Sequence, residues 1–553
     1  MIGAFVMVCG PGSHRSVGEP PLCTREDPTV TDPAQSAVSI AAGYAFSGAA
    51  LELGTVSVDG TVVSDAHVRI PLSMMNRHGL VAGATGTGKT KTLQLIAEQL
   101  SANGVPVVMA DIKGDLSGLS NPGSANEKIT ARAAQTGDDW QPSGCPVEFT
   151  SLGSTGIGVP VRATITSFGP ILLSKVLGLN DTQESVLGLI FHWADGKGLP
   201  LLDLKDLRAV IAYLTSDEGK PELKAIGGVS TQTAGVILRA LSNLEADGGD
   251  TFFGEPEIEP ADLLRTAPDG RGIVTLFELG AQAARPALFS TFLMWILADL
   301  FEFLPEVGDL DKPKLVFIFD ESHLLFDDAS KAFKDQVVQT VKLIRSKGVG
   351  VFFCSQLPTD IPNEVLSQLG ARIQHALRAF TPDDQKALTK TVKTYPVSDV
   401  YKLDQALTSL GTGEAIVTVL SEKGAPTPVA WTVIRAPRSS MDAVGAEGIT
   451  AAAKTSPLYA KYGQSIDRES AYEKLTAKTL APGESPDAPA PAPTPAPAPV
   501  PAPAPVPAPQ PEEPGILTEV LTSKPMQSFL RSAATAAGRE FSRAIFGTGR
   551  RRR

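Results

Sequence analysis

Gly83-Ala-Thr-Gly-Thr-Gly-Lys89-Thr90 fits the pattern G-x-x-x-x-G-K-[ST], and no other stretch of this chain limits its possible folds so tightly. Glycines in such a loop let successive backbone N–H groups close around an anion, and the loop works only between a buried strand and a helix N-terminus. Both flanks are present. Gly79-Leu80-Val81-Ala82 reads as a short buried strand, and Leu93, Ile96, Ala97 and Leu100 recur at i, i+3, i+4, i+7, one face of a helix. The context predicts a phosphate-cradling loop in which Gly83, Ala84, Thr85, Gly86, Thr87, Gly88, Lys89, Thr90 and the following Lys91 are candidate nucleotide-binding residues.

At 553 residues the chain exceeds one compact core, and 42% hydrophobic residues support a folded body. A net charge of −11 excludes a generally basic nucleic-acid coat, but not a ring motor that needs positive charge only along its channel. Cys9, Cys23, Cys145 and Cys354 are scattered without metal-ligand spacing, as in a reducing cytosol. The N-terminal residues have no basic region of the kind that opens a signal peptide. The most apolar helix candidate, Phe292 to Leu304, is interrupted by Asp299 and Glu302, so no transmembrane segment is expected and the predicted location is cytoplasmic.

Composition divides the chain. Residues 1–33, rich in Gly, Pro and Ser, read as a disordered leader; residues 34–77 carry a small β element around the hairpin signal Asp59-Gly60. Residues 78–438 alternate strands and helices, with a helical insertion at about 165–270 that includes a capped start at Asp181-Thr182-Gln183-Glu184 and a helix from Thr231 to Leu244. The near-continuous apolar runs at 105–110, 272–277, 315–319 and 349–353 suit strands buried on both faces of a parallel sheet, closed by strands at 414–419 and 429–433. A helical extension at 439–480 precedes a Pro-Ala linker at 481–514. Residues 515–553 hold a basic amphipathic helix, with Phe529, Ala533, Ala537, Phe541 and Ile545 on one stripe, and end in an Arg tail.

A phosphate loop needs a metal-side acid at the end of a buried strand. Leu315-Val316-Phe317-Ile318-Phe319-Asp320-Glu321 supplies it. Thr90 and Asp320 are the expected Mg2+ ligands, Lys89 the contact to the β- and γ-phosphates, and Glu321 the group that orients or deprotonates the attacking water. Together the two motifs point to ATP or GTP hydrolysis. Gln356, closing the next strand, is read as a γ-phosphate sensor in preference to a strand-end polar residue. Asp111-Ile112-Lys113-Gly114-Asp115 brings acids and a lysine to the same edge, with Asp111 a candidate nucleotide-binding residue; a polar turn with Gly at its tight point accounts for it equally. Arg345, at the end of a helix faced by Phe333, Val337, Val341 and Ile344, is either a residue the helix dipole favours or an arginine finger for a neighbouring subunit; Arg372 and Arg378 are its rivals. His323 and His375 are read as structural.

These residues resemble the HerA-like ATPases, relatives of FtsK-type and type IV secretion motors, in the bacterial branch long catalogued as a domain of unknown function. The resemblance rests on Gly83–Thr90, Asp111–Asp115, Phe319-Asp320-Glu321-Ser322-His323, Ile344-Arg345-Ser346-Lys347-Gly348, Ser355–Pro362 and Gln374–Thr381, and it covers about residues 40–440. It implies an α/β fold with a RecA-like P-loop core, a homo-hexameric ring, ATP and Mg2+ as cofactors, and movement along double-stranded DNA, with the finger at Arg345. The stretch before His78 is too short for the N-terminal β-barrel of archaeal HerA proteins, which leaves a nuclease partner doubtful. The expectation is therefore a ring ATPase that translocates or unwinds duplex DNA. The alternative is an assembly or scaffold ATPase remodelling a protein or membrane-adjacent complex, tethered by its basic C-terminal helix.

Overall fold

Side chains of alternating strand residues point to opposite faces, so a strand apolar throughout must have a core on each side. The segment Leu315–Phe319 does this: Leu315, Phe317 and Phe319 enter one core while Val316 and Ile318 enter the other, all buried. The computed structural model describes residues 32–225, 227–280, 285–327 and 329–480. The leader before residue 32, the Pro-Ala linker and the basic C-terminal helix expected from the sequence lie outside them.

The strands are β1 (Ala50–Val58), β2 (Thr61–Pro71), β3 (Gly79–Ala82), β4 (Val107–Asp111), β5 (Val147–Leu152) and β6 (Val159–Val161). They continue with β7 (Val274–Glu278), β8 (Leu315–Phe319), β9 (Val349–Ser355), β10 (Ala371–Gln374), β11 (Glu414–Thr418) and β12 (Ala430–Ile434). All join one 12-stranded sheet in the order β2-β1-β12-β11-β10-β3-β9-β8-β4-β7-β5-β6. From β10 to β6 every pairing is parallel. From β2 to β10 every pairing is antiparallel. The fold is α/β, with a parallel central sheet and an antiparallel flank.

Helices cover both faces. The helix after the phosphate loop, Lys89–Ala102, buries Leu93, Ile96, Ala97 and Leu100 in the core shared with the β1–β2 hairpin. The hairpin turns at Asp59-Gly60, both with positive φ (48° and 77°), the backbone that Asp-Gly readily adopts. On the other face lie the insertion helices Ile165–Leu177, Asp181–Gly196, Leu204–Thr215, Lys220–Ala225 and Thr231–Ala246, packed with Pro286–Phe303 and Lys331–Ile344. Further helices at Ala446–Thr455, Pro457–Tyr462 and Ala471–Leu480 follow the last strand.

Four local expectations change. The insertion helix at Asp181 is capped by Asn180, whose side chain accepts from Gln183 N while Gln183 answers it in a capping box. A helix, Pro33–Ala42, precedes the hairpin, started by the Asp32 cap and Pro33 at its first position. Strands β5, β6 and β10 carry no apolar run long enough to be read from sequence. The fourth change concerns length: Pro286–Phe303 has 18 residues and a mean hydropathy of 1.4, enough to cross a membrane by length and composition, but 67% of it is buried inside the fold. The helix begins at Pro286, six residues before the Phe292 expected from the apolar run.

His78 ties the start of β3 to its neighbours. At φ +63° it is 2% exposed, and its Nε2–H donates to Val341 O at 2.8 Å while Nδ1 accepts from Val351 N–H at 3.0 Å. Protonation would set a second N–H against the Val351 donor. Burial, with Arg345 and Arg77 nearby, moves its pKa from 6.5 down to about 4. The unfolded chain therefore takes up this proton first, so stability falls as pH drops through 6.5 and levels off below about 4. The full loss is about 3 kcal/mol. We expect thermal unfolding midpoints to drop less between pH 7 and pH 5 in His78→Asn than in the parent; identical pH slopes would refute this.

Candidate functional site

Parallel pairing aligns the carboxyl ends of six strands. Gln374 lies opposite Ala82, Ala82 opposite Ser355, Phe319 opposite Phe353, Met109 opposite Ile318 and Asp111 opposite Glu278. The loop 83–90, Gln356, Asp320, Glu321 and the turn from Asp111 therefore emerge along one sheet edge, where open α/β sheets bind ligands.

The loop is held by its neighbours before it holds anything else. Ala84 N–H donates to Ala376 O (2.8 Å), Gly83 N–H to Ser355 O (3.3 Å) and Gly413 N–H to Thr87 O (2.9 Å). His375 is wholly buried beneath it, with Nδ1–H donating to Glu414 O and Nε2 accepting from the Thr92 hydroxyl, both at 2.9 Å. Burial moves its pKa down to about 4, keeping the neutral tautomer that makes both bonds. The structural role expected of His375 is thus a brace for the loop. Gly83 has φ +151°, and a Cβ there would sit 2.6 Å from His375 Cβ. Gly88 has φ +112° and Gly86 φ +79°. Lys89 Nζ donates to Gly83 O (2.7 Å) and Ala84 O (3.3 Å), which positions its ammonium inside the loop.

One face of the loop's helix is fastened to the chain that follows the sheet. Lys91 Nζ donates to Met441 O (3.0 Å) and Gln94 Nε2 to Ser440 O (2.7 Å). Glu98, buried, accepts from the backbone N–H of Arg438 (2.9 Å) and Ser439 (3.0 Å) and from the Ser439 hydroxyl (2.8 Å). Lys91 is therefore turned away from the loop, contrary to its expected role as a nucleotide contact; its ammonium is already engaged by the 438–442 segment.

Asp320 and Glu321 follow β8. Burial and the adjacent Glu321 charge push the Asp320 carboxyl up, while the Cys354 thiol hydrogen-bonds to it. Glu321 occupies the left-handed region at φ +47°, which costs a residue with a Cβ about 1–2 kcal/mol. Its Oε1 accepts from Lys113 Nζ at 2.9 Å. Its Oε2 and His323 Nδ1, 3.6 Å apart, are both buried without a hydrogen-bond partner among the described residues. A hydroxyl at Thr90 and a half-buried carboxylate at Asp320 are hard oxygen donors of the kind Mg2+ takes, and a cation there would offset the crowded carboxylates. Among the described residues no three His, Cys, Asp or Glu side chains form a ready-made metal cluster. Phosphate oxygens would have to complete the set.

Of the two readings open for Asp111, its contacts favour the turn. Oδ1 accepts from the N–H groups of Lys113 (3.2 Å), Gly114 (2.6 Å) and Asp115 (3.2 Å), and Oδ2 from Leu116 N–H (2.7 Å). It is 1% exposed and shapes its own turn, which leaves little of the carboxylate for a nucleotide. Next to it Glu278, missed in the sequence, is 5% exposed; burial and the Asp111 charge push its pKa up to about 8.

The three arginines separate. Arg345 precedes β9, at the opposite end of the strand from Gln356 and the loop, roughly 20 Å away at about 3.3 Å per residue. It is exposed beside Arg77 and Asp309, and cannot reach its own chain's loop. Arg372 donates to Thr394 O and Leu366 O of its own chain. Arg378 lies against its own loop, 3.4 Å from Thr85 O.

The family model described as Helicase HerA-like C-terminal matches residues 58–553. The chain is 24% identical over 371 residues to the DNA double-strand break repair helicase HerA of Sulfurisphaera tokodaii, a match covering 66% of each chain. The curated relative is thus spanned over 66% of its length. Among solved structures, the plasmid coupling protein TrwB with the ATP analogue ADPNP aligns at TM-score 0.47 and 15% identity, covering 72% of this chain and 99% of TrwB. VirB4 of Thermoanaerobacter pseudethanolicus aligns at TM-score 0.45 and 15% identity, covering 70% and 97%.

The loop geometry yields a comparison of two substitutions. Gly86→Ala meets no atom within 4 Å and carries only the left-handed penalty, about 1 kcal/mol. Gly83→Ala adds a collision with His375, so it should lower stability by about 2 kcal/mol more. Equal losses in denaturant unfolding would show that His375 does not set the loop's position.

Proposed function

Because the chain belongs to the helicase HerA-like C-terminal family, we propose that it is a ring-forming ATPase that moves along double-stranded DNA. The observation that carries the hydrolytic part is the alignment of β3, β9 and β8, whose ends bring the loop 83–90 and the Asp320-Glu321 pair to one edge. The DNA track is supported by the relatives described as DNA repair helicases.

Each residue has a role. Loop N–H groups and the Lys89 ammonium bind the phosphates, Lys89 exchanging its own loop carbonyls for phosphate oxygens. Thr90 and Asp320 would hold Mg2+, which would neutralise phosphate charge. Glu321 accepts the proton of the attacking water and Gln356 orients that water. Arg345 serves the site of the adjacent subunit: its distance from its own loop supports a site completed between copies of the chain, as in a hexameric ring. Arg378, 3.4 Å from Thr85 O, would serve the phosphates of its own subunit.

Purified protein is assayed for ATP turnover with and without duplex DNA, alongside its mass in solution. We expect a hexamer stimulated by duplex, with stimulation fading as salt rises from about 50 to about 200 mM. Lys89→Ala should lose nucleotide binding; Glu321→Gln should keep it while turnover falls about 100-fold or more. Turnover indifferent to DNA at low salt would refute the DNA track and favour an assembly ATPase.

Mixing Arg345→Ala subunits with Lys89→Ala subunits tests the shared site. Junctions that pair an intact loop with an intact arginine should regain activity. Confirmed mixed rings without any recovery would exclude a role for Arg345 across the interface.

A further inference from the structure

Lys113 belongs to no step of the hydrolytic reading, yet it is the cation bound to that reading's base. Its Nζ lies 2.9 Å from Glu321 Oε1, and its side chain is 53% exposed where that of Glu321 is 16% exposed. The pairing occupies the carboxylate oxygen that a water would need, and Glu321 Oε2 is buried without a partner among the described residues. A base held in this way is badly disposed to take a proton.

The lysine has somewhere else to go. It lines a cavity of about 320 Å3 together with Glu278, Ser117, Ile157, Gly445 and Ile449. Glu278 Oε1 is buried there and also lacks a partner among the described residues. The Asp111 carboxylate holds the Lys113 backbone through its N–H, but the side chain beyond it is 53% exposed, so its long stem keeps other rotamers. A flexible ammonium between a paired carboxylate and a buried carboxyl group wanting a partner, which would ionise as the ammonium reached it, is a bistable element of the kind a ligand can bias.

We infer that Lys113 is a positioning residue with two stations: paired with Glu321 it withholds the base, and moved into the cavity against Glu278 it releases the base for hydrolysis. This rests on the reading of Glu321 as the hydrolytic base.

The test is steady-state ATP turnover by the full chain without DNA, with binding of a fluorescent ATP analogue as a check of folding. Lys113→Met should raise kcat about threefold or more at unchanged KM, and Lys113→Arg, which keeps the pair, should stay near the parent. Glu278→Gln should lower kcat by a comparable factor by weakening the second station. If Lys113→Met is misfolded, Lys113→Gln takes its place. A Lys113 variant that binds nucleotide but leaves kcat unchanged or lowered, while Glu321→Gln is inactive, overturns the proposal alone. Undiminished turnover by Glu321→Gln overturns the hydrolytic reading and the proposal with it.

Discussion

The parallel ladder that sets Ala82 beside Ser355 and Phe319 beside Phe353 fixes where every functional side chain of this edge emerges. Slipping β9 by one residue would exchange its two faces, sending Phe353 to the core that holds Phe352. Both cores are packed, so such a slip would have to displace large aromatic side chains on each side. Position at the edge is thus enforced by packing well below it. The loop then adds its own restraints through Ala376, Gly413 and His375, none of which belongs to the loop motif.

Along the same edge the charges are crowded and dry. Asp111, Glu278, Asp320 and Glu321 end or follow three neighbouring strands, and burial raises the pKa of the first three. Asp111 is satisfied by four backbone N–H groups, and Glu321 by one lysine. Asp320 and Glu278 are less well served. An edge of this kind favours cations, which makes Mg2+ with a polyphosphate a natural complement on one side and an ammonium on the other.

The sequence was most legible where burial is two-sided. Strands β4, β7, β8 and β9 leave unbroken apolar runs, and the loop with its helix has a pattern of its own. Strand β10 was opaque because Arg372 and Gln374 interrupt it and His375 follows at once; Gln374 and His375 are nonetheless wholly buried, and the bonds that hold His375 in place follow no pattern. Asp111 suits a ligand or a turn equally in sequence, because strand-end acids serve as both, and only the fold shows its partners to be backbone groups of its own turn. Glu278 leaves no signal in the sequence, since a glutamate closing a strand resembles a solvated end, and only the fold shows it beside Asp111. The pairing of Lys113 with Glu321 spans 208 positions and has no local signature.

Lys91, Gln94 and Glu98 bind one helix face to the segment that leads into the helix Ala446–Thr455. These bonds lie in series along the helix, at offsets of three and four residues, so a rotation about its axis would strain all of them together. The phosphate loop therefore cannot twist its helix without dragging the 438–442 segment along. In mechanical terms the helix is a crankshaft and that segment its connecting rod: a turn at the nucleotide end would be felt by the helices that follow the sheet.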